Sequence, residues 1–219
     1  MNFKFVLGFY KSQLKKTIPQ FFLINRLRMR VSVENGCYID RSAVIGKNVK
    51  IKKNVTIGLG VTIGDNVIIG AGASLSRISI GNNTHIESGV KITGHGNGFI
   101  TLGRDCYVGI NNVLDWSESI NIGDFVHIAG PSTGIWTHSS AKQVLLGESI
   151  SNKDIDIRPK SPVLIESNVY IGGNCTIYPG VKIGHHSVVA PNSAVTKNIE
   201  PFSLVGGVPA KFIKSTKPE

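Results

Sequence analysis

Cysteine is scarce in this chain of 219 residues. Cys37, Cys106 and Cys175 are odd in number and far apart, which argues against a disulfide framework and a C-x-x-C metal site. Long apolar runs are missing as well: none approaches the roughly twenty residues that a membrane-crossing helix needs. Zinc-finger spacing, an RNP signature and a basic helix with heptads are also absent, so no nucleic-acid partner is expected. Acidic residues are few, 14 against 24 Lys and Arg. The resulting net charge of +10 favours an anionic partner: nucleotide phosphates, a membrane face or an acidic polymer. The expectation is a cytoplasmic protein, soluble or peripherally bound, with one domain large enough for a sizeable core.

What the chain does have is a repeat of six. Ile39, Ile45, Ile51, Ile57, Ile63, Ile69 and Leu75 recur at that spacing, and Ala43, Val49, Val55, Val61, Val67 and Ala73 lie four residues behind them. The same lattice returns at Ile165, Ile171, Ile177, Ile183, Val189 and Val195. A helix repeats at 3.6 and a lone strand at 2, so a period of six belongs to neither. It fits a solenoid whose coil of about eighteen residues holds three short strands, with the aliphatic inward and the small residue at a corner. Cys106 and Cys175 occupy that small slot and read as reduced core residues. The phase slips at Ser76–Ser79, at the run TGHGNGF and before Ile122, and after Ile128 the lattice is expected to stop until Ile165. A loop that long in a regular solenoid is usually functional.

Three regions follow from this pattern. Residues 1–34 form a basic amphipathic segment: Met1–Arg30 carries seven Lys and Arg and no acid, and Pro19 divides two short helices. Two compatible readings stand for it, a cap on the open end of the solenoid and a peripheral contact with an anionic bilayer. Residues 35–200 form the solenoid, with an active-site loop at 139–162, and residues 201–219 form a C-terminal cap in which Phe202–Ile213 makes a strand and a helix.

The run SNVYIGGNCTIYPGVKIGHHSVVAPNSAVTKNIEPFSLVGGVPAKFIK resembles the C-terminal half of hexapeptide-repeat acyltransferases. That family includes galactoside, maltose and serine acetyltransferases and many polysaccharide O-acetyltransferases. The resemblance spans about Ile39 to Ile213 and implies an all-β fold, a left-handed parallel β-helix. It also implies acetyl-CoA as co-substrate without a metal, and a homotrimer with active sites between subunits. The acceptor it implies is a sugar hydroxyl of a capsular, lipopolysaccharide or exopolysaccharide glycan or precursor. The alternative is N-acylation of an amino sugar or nucleotide sugar. Three histidines converging on zinc, as in γ-type carbonic anhydrases, would need a spacing that His85, His127 and His138 do not provide.

The resemblance also assigns residues. His138, in TGIWTHSS, is similar to the family's catalytic TGH-type segment and becomes the general base, a role suited to imidazole near neutral pH. A packed structural histidine is the competing reading: a strictly continued lattice puts His138 in the small inward slot, whereas Pro131 and Gly134 argue that the phase has slipped. Asn111 and Asp115, in GINNVLDWSES, are the candidate acceptor contacts, with Trp136 as a wall; an asparagine ladder of purely structural purpose stands equally for the first cluster. For coenzyme A, Lys211 in VGGVPAK is the phosphate contact and Lys197 a second, each with a solvated surface charge as its alternative. Gly172, Gly173 and Ala190 would leave bare backbone for the pantetheine, and Tyr170 stands where many relatives carry Trp. His127 faces outward, neighbouring the cleft; His85 is also outward, His95 is a loop residue, and His185 and His186 face solvent.

Overall fold

A computed structural model of the protein describes residues 29–149 and 161–218. Strands of mostly two or three residues wind into three parallel sheets that enclose one apolar core. Each strand needs only an outward residue and an inward aliphatic, as in Lys50–Ile51, Thr56–Ile57 and Val44–Ile45. Regular coils repeat every 18 residues, so strands six apart fall on successive faces. Each inward aliphatic then sits on its equivalent one coil on: Ile51 on Ile69, Ile57 on Leu75, Ile45 on Ile63. Ile171, Ile177 and Ile183 continue the same buried columns. Backbone N–H groups are satisfied by carbonyls of the neighbouring coil, as where Lys50 donates to Val67 and Thr56 to Ala73. A cavity left by cutting one of these isoleucines to alanine costs about 2–5 kcal/mol.

The corners explain the asparagines. Asn48, Asn66 and Asn83 all take a left-handed backbone, which Asn tolerates better than most residues. Their amides also link coil to coil: Asn48 donates to Asn66 at 3.0 Å, Asn66 to Asn83 at 3.0 Å, and Asn83 to Asp105 at 3.1 Å. Cys106 and Cys175 fill small inward slots as free, buried thiols, and burial pushes the Cys106 thiol up to about 11.

Two expectations need adjustment. The lattice does not stop at Ile128: one residue later than a strict count, buried Thr133 and Ile135 complete another coil, and Ile135 pairs with Leu114 below and Ile177 above. The break comes after it. Asp124 and Ser167, equivalent on adjacent coils, are 43 residues apart in sequence against the regular 18. The insertion leaves the coil just past Ile135, and its described part includes the helix Ala141–Leu145, none of whose residues is buried. The C-terminal cap is a strand pair with no helix: Ser203–Gly206 joins the first sheet in parallel, and Lys211–Ser215 folds back antiparallel on it. Of the N-terminal segment 1–34, residues 1–28 lie outside the described residues, and Ser32–Val33 forms a strand paired with Lys50–Ile51 in the first sheet. Among the described residues no helix is long and apolar enough to cross a membrane.

Candidate active site

The second sheet stacks Lys91–Thr93, Val113–Asp115 and Gly134–Ile135 in register, with Thr93 opposite Asp115 and Leu114 opposite Ile135. Asp115 therefore ends its strand directly beneath the point where the next coil opens into the insertion. Trp136, Thr137 and His138 are the first residues of that opening. Thr137 is fully buried, while the His138 side chain is 26 % exposed.

His138 Nδ1 lies 2.6 Å from Asp115 Oδ2. An ionised carboxylate only accepts, so Nδ1 carries the hydrogen and Nε2 keeps its lone pair. No protein group among the described residues bonds that Nε2. Asp115 is 1 % exposed, yet its charge is well compensated. Its Oδ2 also accepts from the Thr137 amide at 3.0 Å and stands 3.0 Å from the Thr137 hydroxyl, while Oδ1 accepts from the Ser117 amide at 3.0 Å and hydroxyl at 2.6 Å. Burial by itself raises the carboxyl pKa, but the hydrogen bonds from Ser117, His138 and Thr137 outweigh it and hold Asp115 below the ordinary carboxylate range. The arrangement is a proton acceptor whose tautomer and direction are fixed by a buried anion.

Asp115 is thus not free to contact an acceptor; its carboxylate is enclosed behind His138. Asn111 is exposed at a left-handed corner (φ 56°) before the strand that Asp115 ends, with its side-chain oxygen close to Gly89 of the previous coil. Its buried neighbour Asn112 ties coils together, donating to the carbonyl of Ile128 and accepting from the Thr133 amide. Trp136 is exposed, with its ring over Gly134 on the outer face of the second sheet, two residues from His138.

Tyr170 is 43 % exposed on the first sheet, where it pairs with His127, and neither is bonded to the His138–Asp115 pair. His127 continues an outer column with Tyr107 and His85. Gly172 and Gly173 have a packing reason of their own. A side chain at Gly172 would strike Pro191 of the next coil, and one at Gly173 would strike the Gly130 carbonyl of the previous one. Gly172 is buried and Gly173 half-buried. Ala190 is half-buried beside Gly206. At the C-terminal end a cavity of about 450 Å³ is lined by Lys197, Asn198, Ala210 and Phe212, and Lys211 begins the strand that covers it.

Ser117 and Thr137 are the partners of Asp115 that spacing did not reveal. Both lie where coil length departs from 18, and no count along the chain brings them to one carboxylate.

The chain matches the profile described as bacterial transferase hexapeptide (six repeats) over residues 42–77, 60–94 and 162–197. It is 33% identical over 141 residues to galactoside O-acetyltransferase of Escherichia coli strain K12, covering 62% of this chain and 63% of that protein. It is 51% identical over 55 residues to a probable macrolide acetyltransferase of Lysinibacillus sphaericus, covering 25% of this chain and 31% of the relative. The chain therefore matches less than two thirds of the length of either curated relative. Among solved structures it is similar to AntD, an N-acyltransferase from Bacillus cereus in complex with dTDP and 3-hydroxybutyryl-CoA. The TM-score is 0.57 at 22% identity, covering 92% of this chain and 90% of that one, a likeness of fold.

Proposed function

We propose that the chain is a member of the bacterial hexapeptide-repeat transferase family, whose fold is a left-handed parallel β-helix, and that it is an acetyl-CoA-dependent O-acetyltransferase acting on a sugar hydroxyl. The acceptor class proposed is a capsular, lipopolysaccharide or exopolysaccharide glycan or its precursor. The observation that carries this reading is the His138–Asp115 pair, set where the insertion leaves the coil. Acetyl-CoA, when bound, supplies the acetyl group as an activated thioester.

His138 Nε2 takes the proton of the acceptor hydroxyl as its oxygen attacks the thioester carbon. Nδ1–H stays bonded to Asp115, whose negative charge stabilises the imidazolium that forms. His138 then returns the proton to the leaving sulfur. General-base assistance of this kind is worth roughly 10²–10⁴ in rate. Trp136 offers a flat apolar surface beside the base, suited to one face of a sugar ring. Lys197 and Lys211 suit the phosphate-bearing end of the co-substrate, with Tyr170 and Ala190 along its course. A homotrimer with active sites completed between subunits goes with the reading. Val144, Leu145 and Leu146, close after His138, stand exposed, and a second subunit would cover them; sedimentation tests it.

Incubation with labelled acetyl-CoA and a panel of sugars, amino sugars and polysaccharides tests the function. Label on a hydroxyl is the expected result. Label on amines alone would shift the reading to N-acylation, which needs the same base, and label on no acceptor would contradict it. Lys211→Ala is expected to raise the apparent KM for acetyl-CoA about tenfold, the scale of one lost charge-assisted hydrogen bond, and to leave the acceptor KM unchanged. Added salt should weaken acetyl-CoA binding more in the parent than in this variant. Equal effects on both substrates would mark damage to the fold instead.

A further inference from the structure

Between Thr93 and Phe99 the solenoid carries a short insertion, Gly94–His95–Gly96–Asn97–Gly98, that regular coils lack. It lies flush against the turn 115–118 of the next coil. A side chain at Gly94 would come within 2.8 Å of Asp115 Oδ1 and 2.7 Å of the Ser117 amide; one at Gly96 would come within 2.2 Å of the Ser117 carbonyl, and one at Gly98 within 2.4 Å of the Glu118 carbonyl. This contact is closer than any side chain permits, and its result is a hydrogen bond: the His95 amide donates to Ser117 Oγ at 2.9 Å.

That bond orients the serine. With a lone pair of Oγ taken by an N–H, the hydroxyl hydrogen is directed to Asp115 Oδ1, only 2.6 Å away. A single chain of donors then runs from the His95 amide through Ser117 to one oxygen of Asp115, while His138 and Thr137 occupy the other. Ser117 is 1 % exposed, so water does not replace it. Trp116 anchors the same turn to a position two coils below, its Nε1 donating to Ser76 Oγ at 3.0 Å.

We infer that Ser117, braced by the backbone of the Gly94–Gly98 insertion, is a positioning residue for His138 that acts by fixing the carboxylate of Asp115. The inference rests on the reading of His138 as the base. Without the serine hydroxyl, one oxygen of Asp115 loses its shortest donor and carries more charge. The imidazolium of His138 is then held more strongly, and the ring loses part of its support. The other charged groups around the pair are otherwise engaged or remote: Glu118 accepts from the Ser119 amide, Arg77 lies over the Trp116 ring, and the His95 side chain and Lys142 are exposed. None of them is hydrogen-bonded to Asp115 or His138.

The test is an NMR titration of histidine-labelled protein, full chain, in the parent and in Ser117→Ala, Ser117→Cys and Ser117→Thr. His138 is assigned by its loss in His138→Ala, and the other five histidines serve as internal controls. Ser117→Ala is expected to move the protonation midpoint of His138 upward while the controls stay put. It should also lower kcat about tenfold, the size of one hydrogen bond to a charged group, with the KM for acetyl-CoA unchanged. Ser117→Thr keeps the hydroxyl and should restore both values; Ser117→Cys, a weak donor of similar size, should fall between and stands in if the alanine variant does not fold. An unmoved His138 midpoint in the alanine or cysteine variant overturns the inference, even where His138→Ala abolishes turnover. A moved midpoint with an unchanged rate keeps the positioning role and contradicts His138 as the base.

Discussion

His138→Ala lowers turnover by about two to four orders of magnitude, while acetyl-CoA still binds and the melting temperature holds. The reason is local. His138 is partly exposed at the mouth of the insertion, and among the described residues its ring is hydrogen-bonded to Asp115 alone, so little packing is lost with the ring. His138→Gln can imitate the hydrogen bond to Asp115, but it cannot take a proton, and it should recover none of the rate. A histidine of merely structural value would behave differently, with melting temperature falling and activity falling only in proportion to folded protein. Turnover, acetyl-CoA affinity and melting measured on the same preparations separate these outcomes.

Asp115→Asn is expected to cost as much or nearly as much, about two to three orders of magnitude in kcat, by a different route. The amide oxygen and nitrogen compete for the place of Oδ2. With the amide nitrogen facing the ring, Nδ1 must accept, the hydrogen moves to Nε2, and the lone pair needed for the acceptor is gone. The substitution also changes the response of stability to acid. The ionised carboxylate is held below its ordinary range by Ser117, His138 and Thr137, although burial alone would raise it. A depressed folded value means that the stabilisation is fully present above the ordinary Asp range and is lost as pH falls through the folded value. The parent should therefore lose stability relative to Asp115→Asn on acidification below that range. Melting curves at neutral and acid pH check this, and parallel curves for the two proteins would contradict it.

The solenoid was legible because its rule is short-range. Each strand needs one inward aliphatic, and a spacing of six repeated over Ile39–Leu75 leaves three faces as the natural solution. The position of His138 beside the insertion was legible for a related reason: the departure from the lattice signals a long excursion nearby. What surrounds it was not. Asp115, Ser117 and Thr137 meet because coils of 20 and 22 residues shift the register by amounts that the hydrophobic pattern does not specify. Asp115 and Asn111 share a polar cluster in sequence, yet one ends a strand under His138 and the other turns a corner beside Gly89. The packing of the glycines was not legible either: only the coils show that a side chain at Gly172 would meet Pro191 and one at Gly173 the Gly130 carbonyl. In the cap, the two-strand pairing of Ser203–Gly206 with Lys211–Ser215 depends on the edge left by Val188–Val189, a partner no local pattern reveals.

The most direct test of proton transfer by His138 sets two curves side by side: kcat/KM against pH for the best acceptor, and the protonation of His138 followed by NMR in the free enzyme. Only the neutral imidazole can act as base, so the rate should fall on acidification with the same midpoint at which His138 gains its proton. His138→Ala should lack that limb. An acid limb centred away from the His138 titration, or one that persists in His138→Ala, would assign the base to another group.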